Sequence, residues 1–261
     1  FLFGLSLTGL SYAQEVLPDL TVTSLQAPTS ASTQETIDAS WTITNQGEGI
    51  AQSSQGSGAP DHLYLSQDEV LDSSDIDLGW YGYRIELAPG ASVTSNVKVG
   101  IPKVPAGNYY LLFKVDQPNL VNESNEDNNL IVKPITIKVP DLTVTSLQAP
   151  TSASTQETID ASWTITNQGE GIAQSSQGSG APDHLYLSQD EVLDSSDIDL
   201  GWYGYRIELA PGASVTSNVK VGIPKVPAGN YYLLFKVDQP NLIYETKEWN
   251  NLFARLITIG E

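Results

Sequence analysis

The sequence predicts an all-β protein made of two tandem immunoglobulin-like β-sandwich domains of about seven strands each. Three observations carry this. A segment of 103 residues occurs twice without a change, apolar residues recur with a period of two, and turn-forming clusters separate the runs.

The repeat sets the organisation. Residues 18–120 recur as 140–242 at an offset of 122, and the closing 19 residues of each unit (121–139 and 243–261) differ at 11 positions. The units are therefore 18–139 and 140–261, each of a size that builds one core without staples. Val139 runs directly into Pro140, whose fixed φ stiffens the join, so a semi-rigid rod is expected.

Within one unit the elements follow in order. A first, weaker strand carries Leu20 and Val22. The second alternates Ile37, Ala39, Trp41 and Ile43 with Asp38, Ser40, Thr42 and Thr44, the pattern of a half-buried strand. Leu63 and Leu65 mark another, and Val93, Val97, Val99 and Ile101 the next, with Ser95 as its weak position. Tyr109, Leu111, Phe113 and Val115 form the strongest, followed by Ile135, Ile137 and Val139 after Pro134. Turns fall at Asn45-Gln46-Gly47, Gly56-Ser57-Gly58, Pro89-Gly90 and Pro105-Ala106-Gly107. No stretch has a convincing helical period. Gly107-Asn108-Tyr109 opens the penultimate strand as a tyrosine corner does, which predicts a hydroxyl returning to nearby backbone.

Composition limits the partners. With 31 acidic and 12 basic residues the formal net charge is −19, which disfavours nucleic acid and anionic membranes and permits cations, neutral glycans and basic surfaces. Cysteine is absent, which removes disulfides, thiolate metal sites and cysteine nucleophiles. The apolar run 1–10 is too short to span a bilayer, for which about 20 residues are needed. Ser11 and Ala13 match the small residues before a signal-peptidase cut, so 1–13 reads as the remnant of a secretory signal peptide and 14–17 as a short leader. The expected location is secreted or at the cell surface, with no direct membrane insertion and with fused domains beyond this fragment.

Several segments together resemble the CARDB family, a cell-adhesion-related module of bacterial surface and secreted proteins. They are Pro18-Asp19-Leu20-Thr21-Val22, Ser40-Trp41-Thr42-Ile43-Thr44-Asn45-Gln46-Gly47, Leu63-Tyr64-Leu65-Ser66, Leu71-Asp72-Ser73-Ser74-Asp75 and Gly107-Asn108-Tyr109-Tyr110-Leu111. The closing signature is residues 122–129, NESNEDNN, which becomes YETKEWNN at 244–251. The resemblance spans nearly all of both units and implies extracellular, repeated, non-catalytic modules.

The residues that could carry chemistry are few. His62 and His184 are the only histidines; each follows an aspartate, but strand neighbours point to opposite faces and form no dyad. No nucleophile elbow, zinc-binding helix or phosphate loop occurs, so no enzyme is expected. The acid-rich segment holding Asp68, Asp72, Asp75 and Asp77, with Asp190, Asp194, Asp197 and Asp199 in the second copy, is a candidate calcium site. The EF-hand register fails there, and the alternative is that these carboxylates make side-chain-to-backbone turns. Trp80, Tyr81 and Tyr83, repeated as Trp202, Tyr203 and Tyr205, form a candidate ligand face for sugars or a protein; the alternative is a half-buried sandwich edge. For Glu123 and Asn128 the bland reading is backbone capping of a long turn. Tyr244 and Trp249, which replace Asn122 and Asp127, are expected to pack against the first module. The leading expectation is a non-catalytic adhesion or spacer pair, calcium-stabilised if the acid loop binds the ion. The other reading is a carbohydrate-binding module accessory to an enzyme outside this chain.

Overall fold

The computed structural model describes residues 15–52, 60–81, 86–174, 182–203, 208–239 and 241–261. The 1–13 leader, the Gly56-Ser57-Gly58 turn, Tyr83 and Tyr205 lie outside the described residues. Among the described residues there is no helix, and hence none long and apolar enough to cross a membrane.

The first module contains β1 (Leu20–Gln26), β2 (Ser30–Ser32), β3 (Thr36–Asn45), β4 (His62–Ser66), β5 (Ile76–Trp80), β6 (Ser92–Gly100), β7 (Gly107–Lys114) and β8 (Leu130–Lys138). The second repeats them as β9 (Leu142–Gln148), β10 (Ser152–Ser154), β11 (Thr158–Asn167), β12 (His184–Ser188), β13 (Ile198–Trp202), β14 (Ser214–Gly222), β15 (Gly229–Lys236) and β16 (Leu252–Gly260). Each module is a sandwich of a three-stranded sheet, β1-β3-β6, on a five-stranded sheet, β2-β8-β7-β4-β5. All pairs are antiparallel except β2 with β8. The count is eight rather than about seven. Trp41 therefore lies on the third strand, because the short β2 precedes it.

The core follows the predicted alternation. Ile37, Ala39, Trp41 and Ile43 of β3 face inward and meet Leu63, Leu65, Leu111, Phe113 and Ile135 of the opposite sheet. Trp41 stacks on Phe113 with centroids 4.2 Å apart and takes the edge of Tyr81 at 5.1 Å. Each module has its own core cluster, and the aromatic group recurs as Trp163, Phe235 and Tyr203. β8 starts at Leu130, before the predicted Pro134 boundary, and passes through that proline. Thr136 donates its N–H towards β2, to Thr29. Pro134, two residues earlier, faces the same side beyond the end of β2, where a missing N–H costs the ladder nothing.

The tyrosine corner is present in both modules. Tyr109 donates to the carbonyl of Pro105 at 3.2 Å and Tyr231 to that of Pro227 at 3.0 Å. Tyr109→Phe should lower stability by about 1 kcal/mol, the ordinary worth of one such bond, with little change in the urea m-value. Urea unfolding checks this, and an unchanged midpoint would show the bond to be inconsequential.

Candidate functional site

In the acid-rich segment, Asp68, Asp72, Asp75 and Asp77 are each engaged with nearby backbone. Asp68 accepts from the N–H of Val70 at 2.8 Å, Asp75 from that of Asp72 at 2.9 Å and Asp77 from that of Gly79 at 2.8 Å. Asp72 accepts from both the N–H and the hydroxyl of Ser74, each at 2.7 Å, and these bonds hold its carboxyl below the usual range. The second copy repeats the pattern at Asp190, Asp194, Asp197 and Asp199. This is the side-chain-to-backbone turn chemistry that stands as the alternative to calcium. Among the described residues no three metal-ligating side chains converge. His62 leaves its sequence neighbour Asp61 and bonds Asp77 at 3.1 Å across the β4–β5 pair, as His184 bonds Asp199 at 3.2 Å. The separation of His62 from Asp61 is the one the strand alternation requires.

The aromatic segment divides in two. Trp80 and Trp202 end the outer strands β5 and β13 and are 68% exposed. Tyr81 and Tyr203 turn inward onto the core tryptophans instead. Each three-stranded sheet also bears an open groove of about 570 or 540 Å³, lined by Gln26, Ser40, Asn96 and Lys98 and their copies, without an aromatic.

The closing signature caps the N-terminal end of each module. Buried Glu123 accepts the N–H of Leu20 and, at 3.0 Å, the amide of Asn129. Asn128 donates to Asp19 at 2.8 Å, and the N–H of Ser124 to the carbonyl of Pro18. Beneath this turn, buried Asp116 accepts the N–H groups of Leu120 and Val121 at 2.9 and 2.7 Å and donates its own N–H to Asp61 at 3.0 Å. Burial pushes the carboxyls of Asp61 and Glu123 up to about 7; in the second module it takes Asp183 to about 7 and Glu245 to about 8. Sequence reasoning missed the roles of Asp61 and Asp116, because nothing there separates a buried aspartate from an exposed one. A usable signal is Asp116 directly after the buried Val115, where a chain leaving the core must bond its own turn.

At the junction, the turn between β2 and β3 meets the second module. Gln34 donates its amide to the carbonyl of Leu242 at 2.9 Å and accepts the N–H of Tyr244 at 2.7 Å. Ser32 accepts the N–H of Ile172 at 2.8 Å. Tyr244 is thus at the junction, though its polar contact is through backbone. Trp249 corrects the expectation that it packs there: it is 76% exposed. Its position, like that of Asp127 in the first copy, lies on an exposed part of the closing turn. Lys247 and Asn250 instead hold Asp141, at 3.0 and 2.8 Å.

The tyrosine corner, the capped closing turn and the paired sandwiches define one kind of module twice over, and the CARDB family model matches both, over residues 17–133 and 139–255. The chain belongs to the CARDB family. Among solved structures it is similar to the CARDB domain of a Pyrococcus furiosus protein in complex with di-metal ions, at 18% identity and TM-score 0.37 over 48% of this chain and 97% of that one. The solution structure of that domain matches at 20% identity and TM-score 0.35, over 47% and 97%. A β-glucosidase from Erythrobacter marinus matches at 17% identity and TM-score 0.32, over 46% of this chain but 16% of its own. No curated protein matches the chain.

In these CARDB modules several acidic side chains bond the backbone of their own turns. Glu123 and Asp116 each satisfy two donors from neighbouring segments, which is how a long turn is held without regular structure. The exposed polar pairs, Lys98 with Asp38 and Lys220 with Asp160 at 2.8 Å, are surface contacts of small energetic weight.

Proposed function

We propose that the chain is a non-catalytic pair of extracellular adhesion or spacer modules from a bacterial surface or secreted protein. The observation that supports this best is the junction: β8 runs into β9 through Val139, Pro140 and Asp141, and Gln34 and Ser32 tie the modules laterally. A join made of a buried proline and of hydrogen bonds from Gln34 and Ser32 suits an element that sets a distance between two attached parts. A second reading, a carbohydrate-binding module accessory to an enzyme, is favoured by Trp80 and Trp202, whose indoles are open to stacking on a sugar ring. Calcium would enter through the 68–77 loop and its copy, where the carboxylates would exchange backbone donors for the ion.

Thermal unfolding in chelator, in millimolar calcium and with a panel of neutral oligosaccharides distinguishes these readings. A plain spacer is expected to give one midpoint throughout. A ligand at 100 times its dissociation constant stabilises by about 2.7 kcal/mol, a clear shift for modules of this size. A rise with oligosaccharide that Trp80→Ala with Trp202→Ala removes would replace the spacer reading with the carbohydrate one. A rise with calcium that Asp72→Asn with Asp194→Asn removes would make the rod calcium-stabilised.

A further inference from the structure

The register of the five-stranded sheet sets three aromatic side chains in a diagonal line across its outer face. Leu63, Leu65, Leu111 and Phe113 point into the core, so the residues alternating with them point outward. Trp80 of β5 pairs with His62 of β4, Tyr64 of β4 pairs with Leu112 of β7, and Tyr110 of β7 pairs with Ser66. Trp80, Tyr64 and Tyr110 therefore lie on adjacent strands, each displaced by two residues from the last, and such diagonal neighbours are about 7–8 Å apart. The second module repeats the line with Trp202, Tyr186 and Tyr232 on β13, β12 and β15.

Local contacts hold the line in place. The His62 ring lies 17° from parallel to that of Tyr64, with centroids 5.8 Å apart, and its Nδ1 bonds Asp77 at 3.1 Å. In the second copy the angle is 18° and the bond to Asp199 is 3.2 Å. Leu112 and Leu234 are wholly buried on this outer face, although they belong to neither core cluster. Each is flanked by a tyrosine of its own strand and by one of the next, so rings leaning over it turn a face to solvent. Trp80 and Trp202 are 68% exposed, and the four tyrosines are half-buried. Among the outward positions of β4, β5 and β7 the charged side chains are Asp77 and Lys114, of opposite sign, although the chain carries a net charge of −19.

We propose that this outer face is a binding track for a neutral linear polysaccharide, with Trp80, Tyr64 and Tyr110 stacking on successive sugars and Asp77 accepting their hydroxyls. Flat aromatic faces suit the apolar C–H faces of sugar rings, and the Asp77 carboxylate, about half exposed, keeps acceptor capacity beyond its bond to His62. A neutral ligand meets no repulsion from the net charge of the chain. The proposal rests on the carbohydrate reading that exposed Trp80 favours, and extends it from one edge indole to a surface three strands wide. The track is present twice, so a polymer that reaches both copies binds more tightly through their linkage.

Isothermal titration of the full chain with cello-, xylo- and manno-oligosaccharides, from disaccharides to hexasaccharides, tests this. At least one series should bind with an affinity that rises with ligand length, because a longer ligand reaches more of the line. Added salt should leave that affinity unchanged, since no charge is neutralised. Tyr110→Ala with Tyr232→Ala should weaken the hexasaccharide at least several-fold and remove much of the length dependence. Tyr110→Phe with Tyr232→Phe keeps the rings and should retain both. The length dependence is read on the parent chain, so it decides the matter even where an alanine variant does not fold. Binding that ignores ligand length, survives the tyrosine substitutions and is abolished by Trp80→Ala with Trp202→Ala would overturn the track while leaving the carbohydrate reading in place. Binding by no member of the three series would overturn both.

Discussion

Raising the pH from 5 to 8.5 should lower the unfolding temperature of the chain. Asp61 and Glu123, with their copies Asp183 and Glu245, have folded-state values near 7 to 8, against 3.8 for an aspartate and 4.5 for a glutamate. Burial is the main cause in each. A group whose folded value is raised favours folding below its unfolded value, and that advantage is lost as pH rises through the folded one. The window therefore runs from about pH 4 to 8, with the steepest loss in its middle and a levelling-off above about 7. Every tenfold gain in proton affinity on folding is worth about 1.4 kcal/mol, so Asp61 alone weighs a few kcal/mol per module. Asp61→Asn with Asp183→Asn should flatten the dependence and stabilise the chain at pH 8, because asparagine keeps the acceptor for the Asp116 N–H without its charge. Calorimetry across the range reads this. His62→Gln with His184→Gln, which touches the exposed pairs with Asp77 and Asp199, should leave most of the slope. A flat profile in the parent chain would mean that these carboxylates are ionised in place, supported by their N–H donors.

What the sequence makes legible depends on burial. β3 and β7 are readable because each alternates inward apolar residues with outward ones, and the hydroxyl of Tyr109 is readable because its spacing from Pro105 is local. β5 is not readable. It is the outermost strand of its sheet and much of it faces solvent, so Ile76-Asp77-Leu78-Gly79-Trp80 shows no contrast between faces. β2 is three small residues whose assignment rests on hydrogen bonds to β8, contacts more than 100 positions away. The site divides along the same line. The turns of Asp68, Asp72, Asp75 and Asp77 are local and were foreseeable. The Gln34 contact spans 208 residues to Leu242 and leaves no trace in either segment. Trp249 shows the opposite error, in which an aromatic replacing an aspartate suggested a buried contact although its position lies on an exposed turn.

Asn45→Ala should unfold the first module well before the second, splitting a calorimetric scan into two transitions. Asn45 is wholly buried and uses both ends of its amide. Its Oδ1 accepts the N–H groups of Asp19 at 3.1 Å and Gly47 at 3.0 Å, and its Nδ2 donates to the carbonyls of Gly49 at 2.8 Å and Leu87 at 2.9 Å. One side chain thereby fixes the start of β1, the Asn45-Gln46-Gly47 turn and the segment entering Leu87. The glycines are part of the device: a Cβ on Gly47 would lie 2.5 Å from the nitrogen of Asp19, and one on Gly49 would lie 2.2 Å from the carbonyl oxygen of Val16. Alanine at 45 would strand the N–H groups of Asp19 and Gly47 and the carbonyl of Gly49, each costing about 1–3 kcal/mol where water cannot reach it, while the carbonyl of Leu87 keeps the N–H of Ala51. Relaxation and partial hydration reduce that sum, so a loss of roughly 3–5 kcal/mol is expected, a large part of the 5–15 kcal/mol typical of a domain. The second module keeps its own cage at Asn167, which bonds Asp141, Gly169, Gly171 and Leu209. Asn45 sits at the end of the first module that bonds Asp19, and the junction contacts lie elsewhere, at Ser32 and Gln34. The second transition should therefore stay near its parent temperature. Asn167→Ala has its cage beside the junction, where Asp141 and Ile172 lie, so it should disturb both transitions. A single transition for Asn45→Ala at the parent midpoint would show that the amide cage is dispensable.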